Sequence, residues 1–478
     1  MLNKEIPHEL TEKILQFGEG NFLRAFFDVF VDELREKGLY DGGIVIVQPI
    51  AQGMAGHINA QQGCYTVVLR GLEDGVPVTS RRIVTSITRA INPYEDFDTY
   101  METMKNPHLR YIVSNTTEAG IAYLETDKID CRPPASFPGK VTALLFERYT
   151  YFGGDPSKGF IFIPCELIDN SGDQLKEIVL RQAANWQLPD EFITWVKESN
   201  YFANTLVDRI VTGYPRDEIE VFEKELGYKD DILVTGEFFH LFVIEAPEAA
   251  LREIEADMPF QKAGLNVVLT HDATPYKLRK VRILNGSHTM SVLAAHLAGK
   301  ETVGEMMSDP LFVAYLRKGI YEEIIPTLSL GEEDLKSFAA SVFDRFANPH
   351  IKHYLLSIAL NSVSKFKARV LPAIFDYCEK TGRLPEVLTF SYAALLAFYR
   401  GDIAQDSAEV LAFFKAGWGQ VGEQPEQEAI AELVKSACAQ DNFWGADLNQ
   451  LPGFAEKVAG YLQDIMSQGA QEVISQLV

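Results

Sequence analysis

The segment from residue 13 to residue 47 constrains the fold more than any other part of the chain. Lys13 to Phe17 reads as a buried strand, Phe22 to Lys37 has the apolar periodicity of a helix, and Gly43 to Val47 reads as a second strand. The turn between the first strand and the helix is Gly18-Glu19-Gly20-Asn21. A β-α-β unit with a glycine-rich first turn holds a pyrophosphate at the helix N-terminus. The segment therefore predicts a Rossmann-type dinucleotide-binding domain.

Another glycine motif, Gly417 to Gly422, spells GxGxxG in full. It follows a helical run and leads into the polar sequence EQPEQE, so it does not join a strand to a helix. Because sequence context decides such motifs, we expect a helix C-cap and a loop there. The first turn is the phosphate-binding candidate, although Leu23 replaces the third glycine. The residues of this turn predicted to contact the cofactor are Gly18, Glu19, Gly20, Asn21 and Phe22.

The end of the second strand leaves the identity of the dinucleotide open. Rossmann-type sites usually place Asp or Glu there for the ribose 2′-hydroxyl of NAD, or an arginine nearby for the 2′-phosphate of NADP. This chain has Gln48-Pro49-Ile50 instead. The residues at this position therefore do not choose between NAD and NADP.

Strand and helix signals alternate along the first 270 residues. Further strands are predicted at Tyr65 to Arg70, Tyr111 to Ser114, Gly159 to Ile163, Ile232 to Thr235 and Leu265 to Thr270. From residue 280 onward, amphipathic helical stretches dominate. We predict an α/β fold with two domains. Residues 1–270 form a Rossmann-type, doubly wound, mostly parallel sheet, and residues 271–478 form a mainly helical substrate and catalytic domain.

The formal net charge of -23 argues against nucleic acids and anionic membrane surfaces as partners. An anionic ligand would instead need a local cluster of basic side chains or backbone N–H groups. The five cysteines have no CxxC spacing, which favours reduced thiols over a disulfide framework or a zinc site. The first residues lack the apolar core of a signal peptide, and no run of about 18 apolar residues occurs. We therefore expect a cytoplasmic protein without a membrane span, either a monomer or a small homo-oligomer.

The stretch from Tyr276 to Gly299 combines helical periodicity with three polar residues. Lys280, Asn285 and His288 would project at about 0°, 140° and 80° around an α-helix, at roughly 100° per residue. An amine, an amide and an imidazole on one arc would together bind a hydroxyl or carbonyl oxygen. The alternative is a core helix whose lysine reaches solvent, whose asparagine caps and whose histidine is hydrogen-bonded internally.

Four segments resemble the mannitol dehydrogenase family, the polyol-specific long-chain dehydrogenases. They are Gly18 to Ala25 (GEGNFLRA), Asn115 to Gly120 (NTTEAG), Asn204 to Ile210 (NTLVDRI) and the pattern Lys280-x4-Asn285-x2-His288, and the resemblance extends over nearly the whole chain. Within the family, NTTEAGI, FIPCELIDNSGDQL and NTLVDRIVTGYPR most resemble the members that interconvert D-altronate and D-tagaturonate in hexuronate catabolism. The resemblance implies a Rossmann-type domain, NAD as cofactor and a small sugar-acid substrate.

The chemistry of such an oxidation agrees with these residues. Lys280 is the predicted general base, which must be neutral to take the hydroxyl proton. Burial in a cleft, or a nearby cation such as Arg279 or Arg282, would favour the neutral form. Asn204 and Asn285 would donate hydrogen bonds to the developing alkoxide or the ketone. His288 would orient the substrate oxygen or the amine, and it is the next candidate for the base. No metal is needed, and the chain has no ligand cluster with zinc spacing.

The resemblance also implies further contacts. Lys365 falls where the family has a substrate-contacting lysine, and a sugar acid needs a cation for its carboxylate. The alternative for Lys365 is a solvated basic helix face. Glu237 and His240 match a family segment near the substrate. Thr117 and Glu118 are expected to line the cofactor side, the alternative being a plain turn after a strand.

Two alternatives to this function are open. The same fold and chemistry would also serve another polyol or sugar acid, such as fructuronate, mannitol or mannitol 1-phosphate. A catalytically inactive nucleotide-binding regulator is the alternative from a different class. A regulator has no need of a base, so the set Lys280, Asn285 and His288 argues against it.

Overall fold

The structure is a computed structural model that describes residues 10–117, 119–423 and 426–478. The chain divides into two compact units. The first contains the residues up to Arg70 together with Pro77–Ala273, and the second contains Gly71–Val76 and Thr274–Val478. The strands of the described chain are β1 (Thr11–Phe17), β2 (Gly42–Val47), β3 (Tyr65–Glu73), β4 (Val76–Val84), β5 (Ile87–Ile91), β6 (Tyr111–Ser114), β7 (Ile161–Pro164), β8 (Tyr201–Phe202), β9 (Asn204–Asp208), β10 (Val211–Gly213), β11 (Val234–Glu237), β12 (Leu241–Glu245) and β13 (Val267–Thr270).

The first unit is built on a parallel sheet. Its strands are hydrogen-bonded in the order β5, β2, β1, β6, β7, β8, and each neighbouring pair is parallel. By chain position this is the third, second, first, fourth, fifth and sixth strand of the sheet, which is the strand order of doubly wound dinucleotide-binding folds. The order reverses between β1 and β6, so the carboxyl ends of these two strands mark the expected ligand crevice.

Two smaller sheets, which the sequence analysis does not anticipate, complete the strand inventory of the described residues. One has the order β10, β11, β3, β4 and the other the order β13, β12, β9. Both contain parallel and antiparallel pairs. The α-helices of the first unit are α1 (Asn21–Arg24), α2 (Phe27–Glu36), α3 (Ala55–Ala60), α4 (Phe97–Glu102), α5 (Phe137–Tyr151), α6 (Ser171–Asn185), α7 (Asp190–Ser199), α8 (Ile219–Leu226) and α9 (Glu248–Asp257).

The helix predicted from Phe22 to Lys37 is interrupted, and this corrects the sequence-based boundary. The carbonyl of Arg24 accepts a hydrogen bond from the Tyr65 hydroxyl at 3.0 Å, and that of Ala25 accepts one from Arg209 Nη1 at 2.6 Å. These carbonyls are bound by side chains from other elements, so the chain ends α1 and restarts as α2. Because these partners are distant in the sequence, the local apolar periodicity does not indicate the interruption.

The sheet of the first unit separates two apolar cores. Residues on alternate positions of β1 and β2 point to opposite faces, so Ile14 and Ile44 belong to one buried cluster while Leu15 and Val45 belong to the other. Both faces of the sheet are therefore covered, as a doubly wound fold requires.

The second unit is mainly helical. Its α-helices are α10 (Thr274–Arg279), α11 (Gly286–Leu297), α12 (Val303–Met307), α13 (Pro310–Arg317), α14 (Glu332–Phe346), α15 (Leu355–Ile358), α16 (Ser362–Arg369), α17 (Leu371–Thr381), α18 (Glu386–Phe398), α19 (Ala408–Val421), α20 (Gln427–Cys438), α21 (Asp441–Trp444), α22 (Phe454–Gln468) and α23 (Ala470–Leu477). In this unit Lys280–Asn285 and Lys318–Ile324 are π-helical. In the two units together, short 3₁₀ turns lie at Thr103–Lys105, Pro156–Lys158, Phe260–Ala263, Ile325–Thr327 and Leu448–Gln450. The parallel sheet and this helical unit confirm the predicted fold class.

Helix α18 forms the centre of the second unit. Every residue from Val387 to Phe398 is buried, and the helix packs against α11 and α22. The helix that carries His288 therefore rests on an almost fully buried helix. Its polar residues are presented by a rigid support.

The GxGxxG sequence near the C-terminus is helical over most of its length, which corrects the expected loop. Gly417 and Gly419 lie inside α19, and only Gly422 ends the helix, with φ of +75°. A Cβ atom on Gly417 would lie 2.6 Å from Leu433 Cδ1, so this glycine permits close packing of α19 against α20. The motif is part of the helical packing.

Candidate active site

The glycine-rich turn begins where β1 ends, at the reversal point of the parallel sheet. Gly18 has φ of +119°, and a Cβ atom there would lie 2.9 Å from the carbonyl oxygen of Asn115, which follows β6. Only glycine meets both conditions without strain. A Cβ atom on Gly20 would meet no other atom within 4 Å, so the chain leaves room beside the second glycine.

The carbonyl groups of this turn are bound inside the protein. Gln16 Nε2 donates to the carbonyl of Gly18 at 3.2 Å, and Arg24 Nε donates to that of Glu19 at 3.1 Å. No side chain caps the start of α1, and the first N–H groups of a helix have no intrahelical partner. The start of α1 thus leaves N–H groups for an anion, whereas the carbonyl oxygens of Gly18 and Glu19 are already bound. This arrangement fits the pyrophosphate of a dinucleotide.

The other predicted cofactor residues of the turn have structural contacts. The Asn21 Oδ1 atom accepts a hydrogen bond from Arg24 Nη2 at 2.7 Å. Phe22 stacks on Phe26, with ring centroids 4.9 Å apart, and packs against the core of the first unit. For these two residues the structure leaves the backbone N–H groups as the contact to a phosphate.

Glu19 and Gln48 lie together at the end of β2. A Cβ atom on Gly53 would lie 2.1 Å from Glu19 Oε1 and 2.5 Å from Gln48 Cδ, so both side chains converge on this glycine. Gln48 Nε2 donates to the carbonyl of Ile50 at 2.8 Å. Burial raises the pKa of the Glu19 carboxyl group. Although β2 is not followed by an acidic residue, the turn itself brings a carboxyl group to this place.

The loop after β6 is held by Glu166, a residue that the sequence analysis misses. Thr116 donates to Glu166 Oε1 from its backbone N–H and its hydroxyl, both at 3.0 Å, and the Ser114 hydroxyl donates to Oε2 at 3.1 Å. Thr117 has φ of +101°, which is strained for a β-branched residue. Strain of this kind is typical of functional loops. Glu118, predicted with Thr117, lies outside the described residues.

Asn204 is fully hydrogen-bonded within the first unit. Its Oδ1 atom accepts from the backbone N–H groups of Gly172 at 3.1 Å and Asp173 at 3.2 Å, at the start of α6. Its Nδ2 atom donates to Asp173 Oδ2 at 2.9 Å and to Glu245 Oε1 at 3.0 Å. Both amide hydrogens are therefore engaged, and donation to a substrate oxygen would require one of these bonds to be exchanged.

Glu237 and His240, predicted near the substrate, also have internal partners. Ile210 donates its backbone N–H to Glu237 Oε1 at 2.6 Å. His240 Nε2 accepts the backbone N–H of Asn266 at 2.9 Å. Burial, with the positive charge of Arg209, lowers the pKa of His240 to about 3, so the ring is neutral and accepts this bond. These contacts brace the segment between β11 and β12.

In the second unit, Lys280 and Asn285 stand at the two ends of the π-helical turn. The backbone N–H of Gly286 donates to the carbonyl of Val281, five residues earlier, as a π-helix requires. Residues five apart lie about 140° apart on an α-helix, but the wider π turn brings them onto neighbouring positions. The predicted α-helical angles are therefore wrong, and Lys280 and Asn285 project closer together than they imply. His288 follows by three α-helical residues, which keeps it on the face of Asn285.

Hydroxyl side chains stabilise the end of the π turn. The Ser287 hydroxyl donates to the carbonyl of Leu284 at 3.0 Å, and the Thr289 hydroxyl donates to that of Asn285 at 3.0 Å. Hydroxyls that bond back to carbonyls in this way locally replace or bend the α-helical pattern. Gly286 is required for a close approach, because a Cβ atom there would lie 3.2 Å from the carbonyl oxygen of Arg369.

The arginines that flank Lys280 are neutralised by carboxylates. Arg279 is buried and donates to both oxygens of Asp334, at 2.7 and 2.6 Å. Arg282 is buried and lies 2.6 Å from Asp376 Oδ2. Each of these arginines therefore has a carboxylate partner that offsets its charge beside Lys280.

His288 is a neutral imidazole, and one of its ring nitrogens has no hydrogen-bond partner among the described residues. Its ring stacks on Phe346 with centroids 4.0 Å apart and planes 9° apart, and the edge of His353 lies beside it. Its Nε2 atom is enclosed and has no hydrogen-bond partner among the described residues. Burial lowers the pKa of His288 well below its ordinary value, and nearby positive groups add to the effect. His288 is therefore a poor second candidate for the general base.

A cluster of basic side chains surrounds His288. The groups whose positive charge lowers its pKa are His353, Arg345, Arg369 and Lys365. Only Lys365 is predicted from the sequence. Arg369 follows it by four residues in α16, a spacing that places both on one helix face, and this spacing is the signal by which Arg369 was detectable. In a chain with a net charge of -23, these side chains form a local concentration of basic groups.

The described residues contain neither a cluster of metal ligands nor a membrane-spanning helix. No group of three or more His, Cys, Asp or Glu side chains is placed to hold a metal ion. No helix in residues 10–117, 119–423 or 426–478 has the length and apolar character to cross a membrane.

Comparison with known proteins places these features in a family. Residues 12–257 match the mannitol dehydrogenase Rossmann domain, and residues 272–466 match the mannitol dehydrogenase C-terminal domain. The altronate oxidoreductases of Klebsiella pneumoniae (strain 342) and Shigella flexneri are each 47% identical to this chain over 476 residues, which cover 98% of this chain and 97% of theirs.

Two solved structures share the fold. The substrate-free form of D-sorbitol dehydrogenase has a TM-score of 0.80 at 22% identity and covers 98% of this chain and 96% of its own. Mannitol 2-dehydrogenase from Pseudomonas fluorescens, in a ternary complex with NAD and D-mannitol, has a TM-score of 0.64 at 22% identity and covers 98% of this chain and 94% of its own. The resemblance seen in the sequence is confirmed, and the chain belongs to the mannitol dehydrogenase family.

Proposed function

We propose that this chain is an NAD-dependent altronate oxidoreductase, which interconverts D-altronate and D-tagaturonate. One observation carries the proposal. Lys280 and Asn285 stand at the two ends of a π turn. One turn further, His288 has a buried nitrogen without a hydrogen-bond partner among the described residues and lies near basic side chains. The oxidation of a secondary alcohol on a sugar acid requires an acid–base group, a group that binds the reacting oxygen and a basic cluster that binds the carboxylate. The 47% identity to altronate oxidoreductases supports the same substrate.

The first unit binds the dinucleotide in this proposal. The turn around Gly18 and Gly20 receives the pyrophosphate on backbone N–H groups, and the strained loop at Thr117 lines the same crevice, next to β1. Glu19 places a carboxyl group beside Gln48, where a 2′-phosphate would be repelled, which favours NAD over NADP. NAD bound there would supply the hydride acceptor for the oxidation of altronate and, as NADH, the hydride donor for the reduction of tagaturonate.

The second unit supplies the proton chemistry. Lys280 takes the hydroxyl proton of altronate in oxidation and returns a proton to the oxygen of tagaturonate in reduction. Asn285 donates a hydrogen bond to the same oxygen as negative charge develops on it. His288 is neutral, so its ring nitrogen orients the substrate oxygen by a hydrogen bond and does not carry the proton.

The remaining predicted residues have either a substrate-binding role or a structural role. Lys365 belongs to the basic cluster and contacts the substrate carboxylate. Asn204 caps α6 in the present conformation, and it reaches the substrate oxygen only by exchanging its bond to Glu245 or Asp173. Glu237 and His240 are assigned a structural role, because their polar atoms bind backbone N–H groups of the first unit.

A panel of carbonyl substrates tests the proposal. NADH oxidation is measured with D-tagaturonate, D-fructuronate, D-fructose and D-fructose 6-phosphate, and with NADPH in place of NADH. We expect the highest kcat/KM with D-tagaturonate and NADH, because the basic cluster binds a carboxylate. A higher kcat/KM with fructuronate, fructose or fructose 6-phosphate would replace the substrate assignment. Absence of activity with every substrate would favour a nucleotide-binding regulator.

A further inference from the structure

Arg369 is a partly buried cation without a carboxylate partner in the part of the chain that the structure describes. Its one hydrogen bond is from Nη1 to the Thr289 hydroxyl oxygen, at 3.5 Å. Burial lowers the pKa of the Arg369 guanidinium, and no acidic side chain opposes the effect. Arg279 and Arg282, in the same unit, are both ion-paired. Arg369 thus differs from the two arginines that flank Lys280.

Lys365 lies one helical turn before Arg369 and adds a second positive charge. Its Nζ atom donates to the carbonyl of Ile358 at 2.8 Å. Burial lowers the pKa of Lys365, and the charge of Arg369 lowers it further. Asp406 opposes this effect, but its Oδ2 atom already accepts the backbone N–H of Val363 at 3.2 Å. Two like charges four residues apart on a helix destabilise it, and partial burial increases the cost.

The position of Arg369 connects this charge to the catalytic segment. Its backbone carbonyl packs against Gly286, directly after the π turn. Its side chain contacts Thr289, whose hydroxyl bonds the carbonyl of Asn285. Its charge acts on His288. An anion bound by Arg369 would therefore be fixed relative to the groups that bind the reacting oxygen.

We infer that Arg369, together with Lys365, binds the carboxylate of the sugar acid and that Arg369 determines the preference for acids over uncharged ketoses. The inference rests on the proposed function, whose substrate it anchors at the acid end. A guanidinium binds a carboxylate through two parallel hydrogen bonds, whereas an ammonium acts as a point charge. The bound carboxylate would also neutralise the repulsion within α16.

The test compares D-tagaturonate with D-tagatose, the ketose that carries no carboxylate. Arg369→Met should raise KM for tagaturonate about 10- to 100-fold, the range for losing a hydrogen bond to a charged group. Its kcat/KM for tagatose should be unchanged or higher. Arg369→Lys should recover part of the loss, because the charge remains without the paired geometry. The control is Lys367→Met, an exposed lysine of the same helix, which should behave as wild type.

Thermal unfolding provides a second measurement and verifies folding. Without ligand, Arg369→Met should unfold at or above the wild-type temperature, since an unpaired charge is removed. D-altronate should raise the Tm of wild type and of Lys367→Met but not that of Arg369→Met. Arg369→Gln, which retains a donor toward Thr289, replaces the Met variant if that one does not fold.

The outcomes separate the inference from the function on which it rests. If Arg369→Met changes kcat/KM equally for tagaturonate and tagatose, or if altronate still raises its Tm, the assignment of Arg369 is overturned while the proposed function stands. If wild type reduces neither compound, the proposed function fails and the inference fails with it.

Discussion

Two buried histidines, His240 in the first unit and His288 in the second, have similar electrostatics and different hydrogen bonding. Burial and nearby arginines lower the pKa of both, so both rings are neutral. The Nε2 atom of His240 accepts the N–H of Asn266 at 2.9 Å. The Nε2 atom of His288 has no partner among the described residues. The pKa shift alone therefore does not distinguish a structural histidine from a functional one, whereas the hydrogen-bond partner does.

Arg209 in the first unit and Arg369 in the second differ in hydrogen bonding in the same way. All three nitrogens of Arg209 donate to backbone carbonyls of the first unit, at 2.6 to 3.2 Å. Arg369 has one long contact. Because leaving a buried polar group unpaired costs free energy, polar groups that stay unpaired in a folded protein are the best candidates for contacts to a ligand. By this criterion the unpaired Nε2 atom of His288 and the weakly bonded guanidinium of Arg369 are candidates in the second unit.

Replacement of Lys280 should have the largest effect on turnover. Lys280→Ala should lower kcat about 10²- to 10⁴-fold, which is the usual contribution of a positioned acid–base group. Altronate oxidation should rise with pH and tagaturonate reduction should fall with pH through the same apparent transition, because the base must be neutral for one direction and protonated for the other. Steady-state kinetics in both directions measure this.

Two further observations control the Lys280 experiment. NADH binding, followed by fluorescence, should persist in Lys280→Ala, since the glycine-rich turn belongs to the first unit. Near-normal turnover of the variant would move the base to another residue. His288 would be an unfavourable replacement, because burial keeps its pKa well below the neutral range.

Matched substitutions of the two histidines should sharpen the comparison. His288→Phe keeps the stacking on Phe346 and should lower kcat/KM about 10- to 100-fold without lowering stability, because no internal hydrogen bond is lost. His240→Phe should instead cost about 1–3 kcal/mol in unfolding free energy, since the N–H of Asn266 loses its acceptor. Kinetics and denaturant unfolding of both variants measure the effects. The reverse pattern would exchange the two roles.

Asp28 is one of several side chains of the first unit that also have a buried atom without a partner among the described residues. Burial raises its pKa to about 7. The Tyr65 hydroxyl donates to Oδ2 at 2.7 Å, and Oδ1 has no partner within the described chain. By the criterion of unpaired atoms Asp28 would be a functional group, but it is completely buried. The simplest account is that the folded protein retains a proton on this carboxyl group over much of the acidic range.

The pH dependence of stability tests this account. The folded pKa of Asp28 lies above the unfolded value near 3.8, so the folded state binds more protons between about pH 4 and pH 7. Stability should therefore fall as pH rises through this window, by about 1 kcal/mol per pH unit from this residue. Asp28→Asn should flatten the profile when unfolding is measured at pH 5, 6 and 7. An unchanged slope would mean that another group titrates.

The parts that could be predicted from the sequence depend on local patterns. The strands β1 and β2, the glycine-rich turn and the change to a helical second half follow from periodicity and turn residues. The family follows from short segments such as the Lys280 pattern. These features are encoded within a few residues of one another, so a single sequence is sufficient to find them.

The parts that could not be predicted depend on distant partners. Asn204 is saturated by residues 31 and 41 positions away. The interruption between α1 and α2 depends on Tyr65 and Arg209. Arg369 could have been predicted as a neighbour of Lys365, because the two residues are four positions apart in a helix. Its lack of a carboxylate partner among the described residues is visible only in the folded chain.

The π turn also limits how this part of the chain can change by insertion or deletion. A π turn contains one more residue than the α-helical turn it replaces. Deleting one residue between 281 and 284 would let the segment close as an ordinary α-helix, with little change in helical content. The residues before the deletion would then rotate by about 100° relative to those after it, so Lys280 would leave the face of Asn285 and His288. We therefore expect the length of this segment to be constrained more strictly than the identity of its apolar residues.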